Sequence, residues 1–186
     1  MIPDTPFLVI PEVSSERREY APIGWLEPPV IPSNKLRLLA NATLNEFAVL
    51  TSAMHMAWLR YIGGRLESRY QYSVGVNYNT FPMPPKASDL SRLEPLAQAV
   101  LDARAAHARA TLAELYDPDL MPPNLRRAHR ALDRAVDRLY LRAGFASERE
   151  RVEHLFMLYE RIRTPLDAVA RGKPKRRRKS DSRGAA

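Results

Sequence analysis

Residues 64–85, GRLESRYQYSVGVNYNTFPMPP, follow directly on a double-glycine helix stop at Gly63-Gly64, and their reading decides the fold. The side chains alternate as in a strand. Tyr70, Tyr72, Val74, Val76 and Tyr78 share one predicted face, and Arg69, Gln71, Ser73, Gly75 and Asn77 share the other. The aromatic and β-branched face can pack on a core. The polar face, with Glu67, carries the side-chain types that read base edges: Arg for guanine, Gln or Asn for adenine, Glu for the cytosine amino group. The same pattern also describes an edge strand whose polar residues are simply solvated.

Upstream, FLVIPEV at 7–13 is a short apolar strand broken by Pro11, which suits an edge or a bulge. SSERREY at 14–20 places two hydroxyls and two guanidiniums on a connector, where they can bind phosphate oxygens. Glu16 and Glu19 can equally neutralise Arg17 and Arg18. Residues 21–33 are proline-rich and irregular, anchored by Trp25 and Leu26, and KLRLL at 35–39 reads as a second strand. A helix in two pieces spans 41–62, with a capping box at Thr43 and Glu46 and a bend at Thr51-Ser52. His55, between methionines, reads as packing and not as a metal ligand.

Downstream, NTFPMPP at 79–85 cannot continue a ladder, so a boundary is placed near 85–87. Beyond it the pattern is helical: a capping box at Ser91 and Glu94, a connector turning at Asp117-Pro118, a stripe from Leu125 through Leu132 to Leu139, and a last helix capped by Ser147 and Glu150 that ends before Pro165. The expected fold is α+β, a small mixed α/β portion over 1–85 followed by a three-helix bundle over 86–165 and a disordered basic tail over 166–186. His129, Asp133 and Asp137 repeat on one helix face. Alternation with Arg130, Arg134 and Arg138 makes a solvated ion-pair face the expected arrangement there, and no metal site.

The 186 residues include no cysteine, which excludes disulfides and thiolate metal sites, and no run is long and apolar enough to span a bilayer. A cytoplasmic protein is expected. The net charge of +8 resides mainly in the tail: from Arg171 onward eight basic residues stand against Asp181 alone, leaving the rest of the chain close to neutral. No phosphate-binding glycine loop, nucleophile elbow or metal signature occurs, so no catalytic residue is assigned.

The runs IPEVSSERREYAPIGWLEP, NATLNEFAVLTSAMHMAWLR, GRLESRYQYSVGVNYNTFPMP, LAELYDPDLMPPNLRRAHRALDRAVDRLY and ERVEHLFMLYERI closely resemble the C-terminal end of the MmeI-like (type IIL) restriction-modification enzymes. In that family an endonuclease, a helical spacer, an adenine-N6 methyltransferase using S-adenosylmethionine, a target recognition domain and a helical C-terminal domain share one polypeptide. The resemblance implies that 1–85 is the end of a target recognition domain and 86–165 the helical C-terminal domain, from a truncated or split gene. Its S-adenosylmethionine loop, NPPY tetrapeptide and nuclease carboxylates have no counterpart here, so the cofactor is expected in the parent enzyme and not in this chain.

Double-stranded DNA is then the expected partner, with a separately encoded methyltransferase or endonuclease part as a further one. Glu67 and Arg69 are expected to read one C·G pair, with Lys35 and Gln71 as readers of neighbouring pairs. Ser14, Ser15, Arg17, Arg18, Arg65 and Asn77 are expected on phosphates. The alternative is a helical interaction module that docks a methyltransferase or nuclease subunit.

Overall fold

The computed structural model describes residues 3–84 and 87–171 as two small antiparallel sheets set against a helical body, the α+β class that the sequence predicts. The first sheet has β1 (Phe7–Pro11) in the middle, flanked by β3 (Gly24–Leu26) and β4 (Leu36–Leu39). The second runs β2 (Val13–Ser14), β6 (Arg69–Gln71), β5 (Gly64–Leu66). β1 is therefore central, not an edge. Phe7, Leu8, Val9 and Ile10 are all buried because the strand is covered on both faces, and Pro11 sits at its end, where the missing N–H costs no ladder bond in the middle of the sheet.

Glu12 joins the two sheets through its own peptide groups. Its N–H donates to the Lys35 carbonyl at 2.9 Å, and its carbonyl accepts from the Tyr72 N–H at 2.7 Å. The proline-rich segment is also more regular than the sequence suggests. Residues 24–26 pair with β1, and the buried anchors are Tyr20, Ala21 and Ile23, while Trp25 is only partly covered.

Helix α1 (Leu44–Leu50) starts at the expected Thr43–Glu46 capping box. It breaks at Thr51-Ser52, and α2 (Ala53–Ile62) resumes with Ser52 as N-cap and stops at Gly63. A Cβ at Gly63 would collide with the Leu59 carbonyl oxygen, so the abrupt exit into β5 needs glycine. The predicted strand over 64–78 is overturned. Leu66 pairs with Arg69 across a two-residue loop, making 64–71 a hairpin, and residues 74–78 close into a π-helical turn. Tyr70 and Tyr72 face inward as expected, but Val74 and Val76 are 44% exposed and Asn77 is fully buried. Asn77 drives the turn: its side-chain oxygen accepts from the Ser73 N–H at 2.8 Å while its own N–H donates to the Ser73 carbonyl at 2.7 Å.

The helical half comprises α3 (Glu94–Ala105), α4 (Leu112–Leu115), α5 (Pro123–Tyr140) and α6 (Glu148–Arg171). It does not close a core of its own. α3 and α5 pack on each other and on α1, while α6 lies along α2, with Trp58 against Phe156 and Tyr159 at ring separations of 5.1 and 5.8 Å. One apolar cluster runs from Leu8 through Trp58 and Leu132 to Leu155.

Three local expectations also change. Residues 87–93 form a 3-10 helix, so α3 begins at Leu93 without a side-chain cap, and Glu94 instead accepts from the Asn45 side chain at 3.2 Å. A capping box that the sequence reading did not name, Thr111–Glu114, starts α4. The last helix continues through Pro165 to Arg171, since a proline removes one backbone bond without removing the rest of the ladder. Residues 166–171, assigned to the tail, are thus helical, and residues 172–186 lie outside the described residues.

Candidate nucleic-acid interface

The hairpin β5–β6 projects from the end of α2 with every residue from Gly64 to Arg69 exposed. Its loop is Glu67-Ser68, and Glu67 adopts a φ of 60°, the positive value that suits a two-residue hairpin turn and that few residues other than glycine or asparagine adopt. The Arg69 guanidinium donates to the Glu67 carboxylate at 2.8 Å, so donor and acceptor stand side by side at the tip. Gln71 follows Arg69 on the outward face of β6, because the intervening Tyr70 is turned into the core. Arg65 lies over the Tyr70 ring at 4.2 Å and donates to the carbonyls of Ser68 and Arg60, which stiffens the hairpin base.

Behind the tip, Gln71 lines a hollow with Gly64, residues 72–76 and an ion pair that the sequence reading did not single out. Arg37 and Glu12 meet there at 3.1 Å. The alternation of KLRLL places Arg37 on the face opposite Leu36 and Leu38, which is the signal that would have found it. Lys35 is exposed at the start of β4, and the Glu12 peptide sets it two strand spacings, roughly 10 Å, from Tyr72. Gln71, Arg69 and Glu67 thus share one hairpin, and Lys35 is exposed at the start of a strand in the other sheet.

The residues assigned to phosphates divide. Arg17 is exposed and paired with Asp119 at 2.6 Å, and Arg18 donates to the Ala113 carbonyl at 3.4 Å. Neither is neutralised by Glu16 or Glu19 as an ion pair, since Glu19 is bound by Arg126 at 3.1 Å. Ser15 is partly exposed and accepts from the Arg17 N–H. Ser14 and Asn77 are 6% and 0% exposed. Ser14 lies inside β2 opposite Tyr70, and Asn77 holds the π turn, so these two act as supports and present nothing to a ligand.

Beneath this surface a buried polar seam binds the strand-bearing half to the helical half, in place of the solvated face predicted for α5. His129, Asp133 and Asp137 are 0%, 8% and 4% exposed. Tyr20 donates its hydroxyl to Asp133 at 2.6 Å, and the Ala53 N–H, in the first turn of α2, donates to the other Asp133 oxygen at 2.7 Å. Arg104 bonds the Ile23 carbonyl at 2.8 Å and the Tyr116 hydroxyl at 2.9 Å. The same Tyr116 hydroxyl is hydrogen-bonded to His129 Nε2 at 2.6 Å, and the other ring nitrogen, Nδ1, is buried without a partner. Burial, with Arg104 adding to it, lowers the His129 pKa to about 3. Burial likewise raises Asp133 to about 6, against the pull of Tyr20 and Ala53. Asp137 is held by two bonds from Arg151, at 2.9 and 2.6 Å.

His55 is wholly buried, bonded through Nε2 to the Tyr72 hydroxyl at 3.1 Å and lowered by burial to about 3. Its role is packing beneath the hairpin. Among the described residues no helix is long and apolar enough to cross a membrane, and no group of three or more His, Asp or Glu side chains is gathered as a metal site.

Two family models cover nearly the whole chain: the MmeI target recognition domain over residues 2–85 and the MmeI C-terminal domain over 84–167. DNA methyltransferase A of Bacillus subtilis (strain 168) is 40% identical over 156 residues, which are 83% of this chain and 18% of that protein. The solved structure of the type IIL restriction-modification enzyme MmeI in complex with DNA matches with a TM-score of 0.82 at 44% identity, over 87% of this chain and 22% of that one. The chain therefore spans about a fifth of the length of these relatives. It belongs to the MmeI family, of which it carries the target recognition and C-terminal domains.

Proposed function

We propose that this chain is the sequence-reading part of a site-specific DNA adenine-N6 methyltransferase or restriction-modification enzyme. Its work is recognition of duplex DNA; methyl transfer belongs to the remainder of a longer or separately encoded cytoplasmic protein. The observation that carries this reading is the Glu67–Arg69 pair at an exposed hairpin tip with Gln71 in step behind it. A carboxylate and a guanidinium held 2.8 Å apart match the two halves of one C·G pair, Glu accepting from cytosine N4 and Arg donating to guanine O6 and N7. In this reading Lys35 and Gln71 meet neighbouring pairs, and Ser15, Arg17, Arg18 and Arg65 meet phosphates. S-adenosylmethionine belongs, on this reading, to the methyltransferase part of the parent enzyme and not to this chain.

Grafting Glu67→Lys with Arg69→Asp into an active full-length relative tests the reading, since it exchanges donor and acceptor. The expected result is a methylated site changed from C to G at one position with the others kept. An unchanged site with reduced activity overturns the assignment. A second reading, in which the helical half docks a methyltransferase or nuclease subunit, is favoured by the exposed apolar residues Tyr61, Met157 and Ile162 on α2 and α6. Both roles are compatible in one molecule.

A further inference from the structure

The outer edge of α5 carries four exposed arginines, Arg127, Arg130, Arg134 and Arg138. Steps of three, four and four residues keep them within one stripe of the helix, and eleven residues at 1.5 Å each make that stripe roughly 16 Å long. In the sequence these cations alternate with carboxylates and promise a neutral surface. In the structure the carboxylates are consumed elsewhere: Asp133 by Tyr20 and Ala53, Asp137 by Arg151. None of the four arginines has an ion pair among the described residues. A chain body that is nearly neutral by count therefore presents an uncompensated basic ridge.

The ridge is continuous with the loop already assigned to phosphates. Arg126, one residue before it, bonds Glu19 at 3.1 Å and the Pro118 carbonyl at 3.2 Å, and the hollow beside it is lined by Arg126, Arg127 and Arg130. Arg17 and Arg18 tie the other end of that loop to Asp119 and Ala113, in the segment that leads into α5. The apolar face of α5, Leu125, Leu132 and Val136, is fully buried, so the helix has none to offer a bilayer or a partner helix. What remains outside is charge alone. Duplex DNA, with one phosphate per strand about every 3.4 Å of axis, is a ligand of matching length and sign.

We propose that the α5 arginine ridge is a second anchoring surface for DNA, binding the phosphate backbone outside the bases that are read. The proposal rests on the DNA-reading function above. The ridge supplies affinity and register without sequence preference, as phosphate contacts do.

The test is a salt titration of the full chain with duplex DNA of mixed sequence, comparing the parent with a variant carrying Arg127→Gln, Arg130→Gln, Arg134→Gln and Arg138→Gln. Each phosphate contact contributes about 0.9 to the slope of log affinity against log salt, so the slope becomes shallower by about three to four, with at least a tenfold weaker affinity at low salt. Replacing the same four residues by Lys keeps the charge and retains the slope. Two double variants, Arg127 with Arg134 and Arg130 with Arg138, each lose about half of it, which serves if the quadruple variant is poorly folded. An unchanged slope in a chain that still binds DNA overturns the ridge alone. A parent chain that binds no duplex at any salt overturns the ridge and the DNA-reading function together.

Discussion

The hairpin tip and the buried seam use the same chemistry to opposite ends. At the tip, Glu67 and Arg69 have side chains 77% and 45% exposed, so water competes for both charges and their pairing contributes under about 1 kcal/mol. In the seam, Tyr20, Arg104, Tyr116, His129 and Asp133 are cut off from water, and each polar atom left without a partner costs its full desolvation. Polar residues inside this molecule decide how the two halves sit together, and polar residues outside it are free to serve a ligand. The seam reaches the hairpin through a short path: Asp133 holds the first turn of α2, and the last turn of α2 delivers the chain through Gly63 into β5.

The largest effect is expected at Asp133. Asp133→Ala strands the Tyr20 hydroxyl and the Ala53 N–H in a dry interface and removes about 2–4 kcal/mol of stability, read from the urea midpoint. A variant as stable as the parent would mean that the seam is wet and the contrast with the tip is false.

Acidification probes the same interface more gently. His55 and His129 stay neutral in the folded chain down to about pH 3, whereas in the unfolded chain they take up protons near 6.5. The unfolded state therefore binds more protons through this window, and the stability due to these groups, complete above 6.5, is lost as pH falls toward 3. Asp133 acts in the opposite sense. Its raised folded value, about 6 against 3.8, makes the folded state the better proton acceptor between those values and so returns stability on acidification. Two histidines outweigh one aspartate, so the urea midpoint at pH 4 lies below that at pH 7; a level or rising midpoint would show that the imidazoles are charged or solvated.

The smallest effect sharpens the comparison from the other side. Glu67→Ala should shift stability by no more than about 0.5 kcal/mol, because it removes one exposed pair and touches no core. A melting loss comparable to that of Asp133→Ala would assign the tip to structure.

The periodic elements were legible in the sequence. Thr43 with Glu46, Ser52, Gly63 and Pro123 mark helix ends by local chemistry, and the stripe of Leu125, Leu132 and Val136 is a core face wherever its partners lie. The candidate readers Glu67, Arg69, Gln71 and Lys35 were found by residue type and by resemblance, and all four are solvent-accessible in the fold. The hairpin was not legible, since Glu-Ser is no conventional turn pair and the Tyr-Val alternation runs on past it. Asn77 misled for a related reason: an amide that closes a turn carries no local mark distinguishing it from one aimed at a ligand. Asp133 and Asp137 are spaced for surface pairing with arginine, and only the arrival of Tyr20, Ala53 and Arg151 from elsewhere in the chain takes them inward. Long-range partners of that kind leave no periodic trace.

The Glu67-Ser68 loop hangs from paired strands whose inward anchor is Tyr70 and whose base is held by backbone carbonyls and the Glu12 peptide. None of those supports depends on which side chains occupy 67, 69 or 71. Exchanges at 69 and 71, and at 67 among residues that tolerate its positive φ, are then nearly neutral for folding, so on the proposed reading the DNA site can change without compensating changes in the interior. On the proposed reading of the tip, these side chains are interchangeable teeth on a fixed key blank.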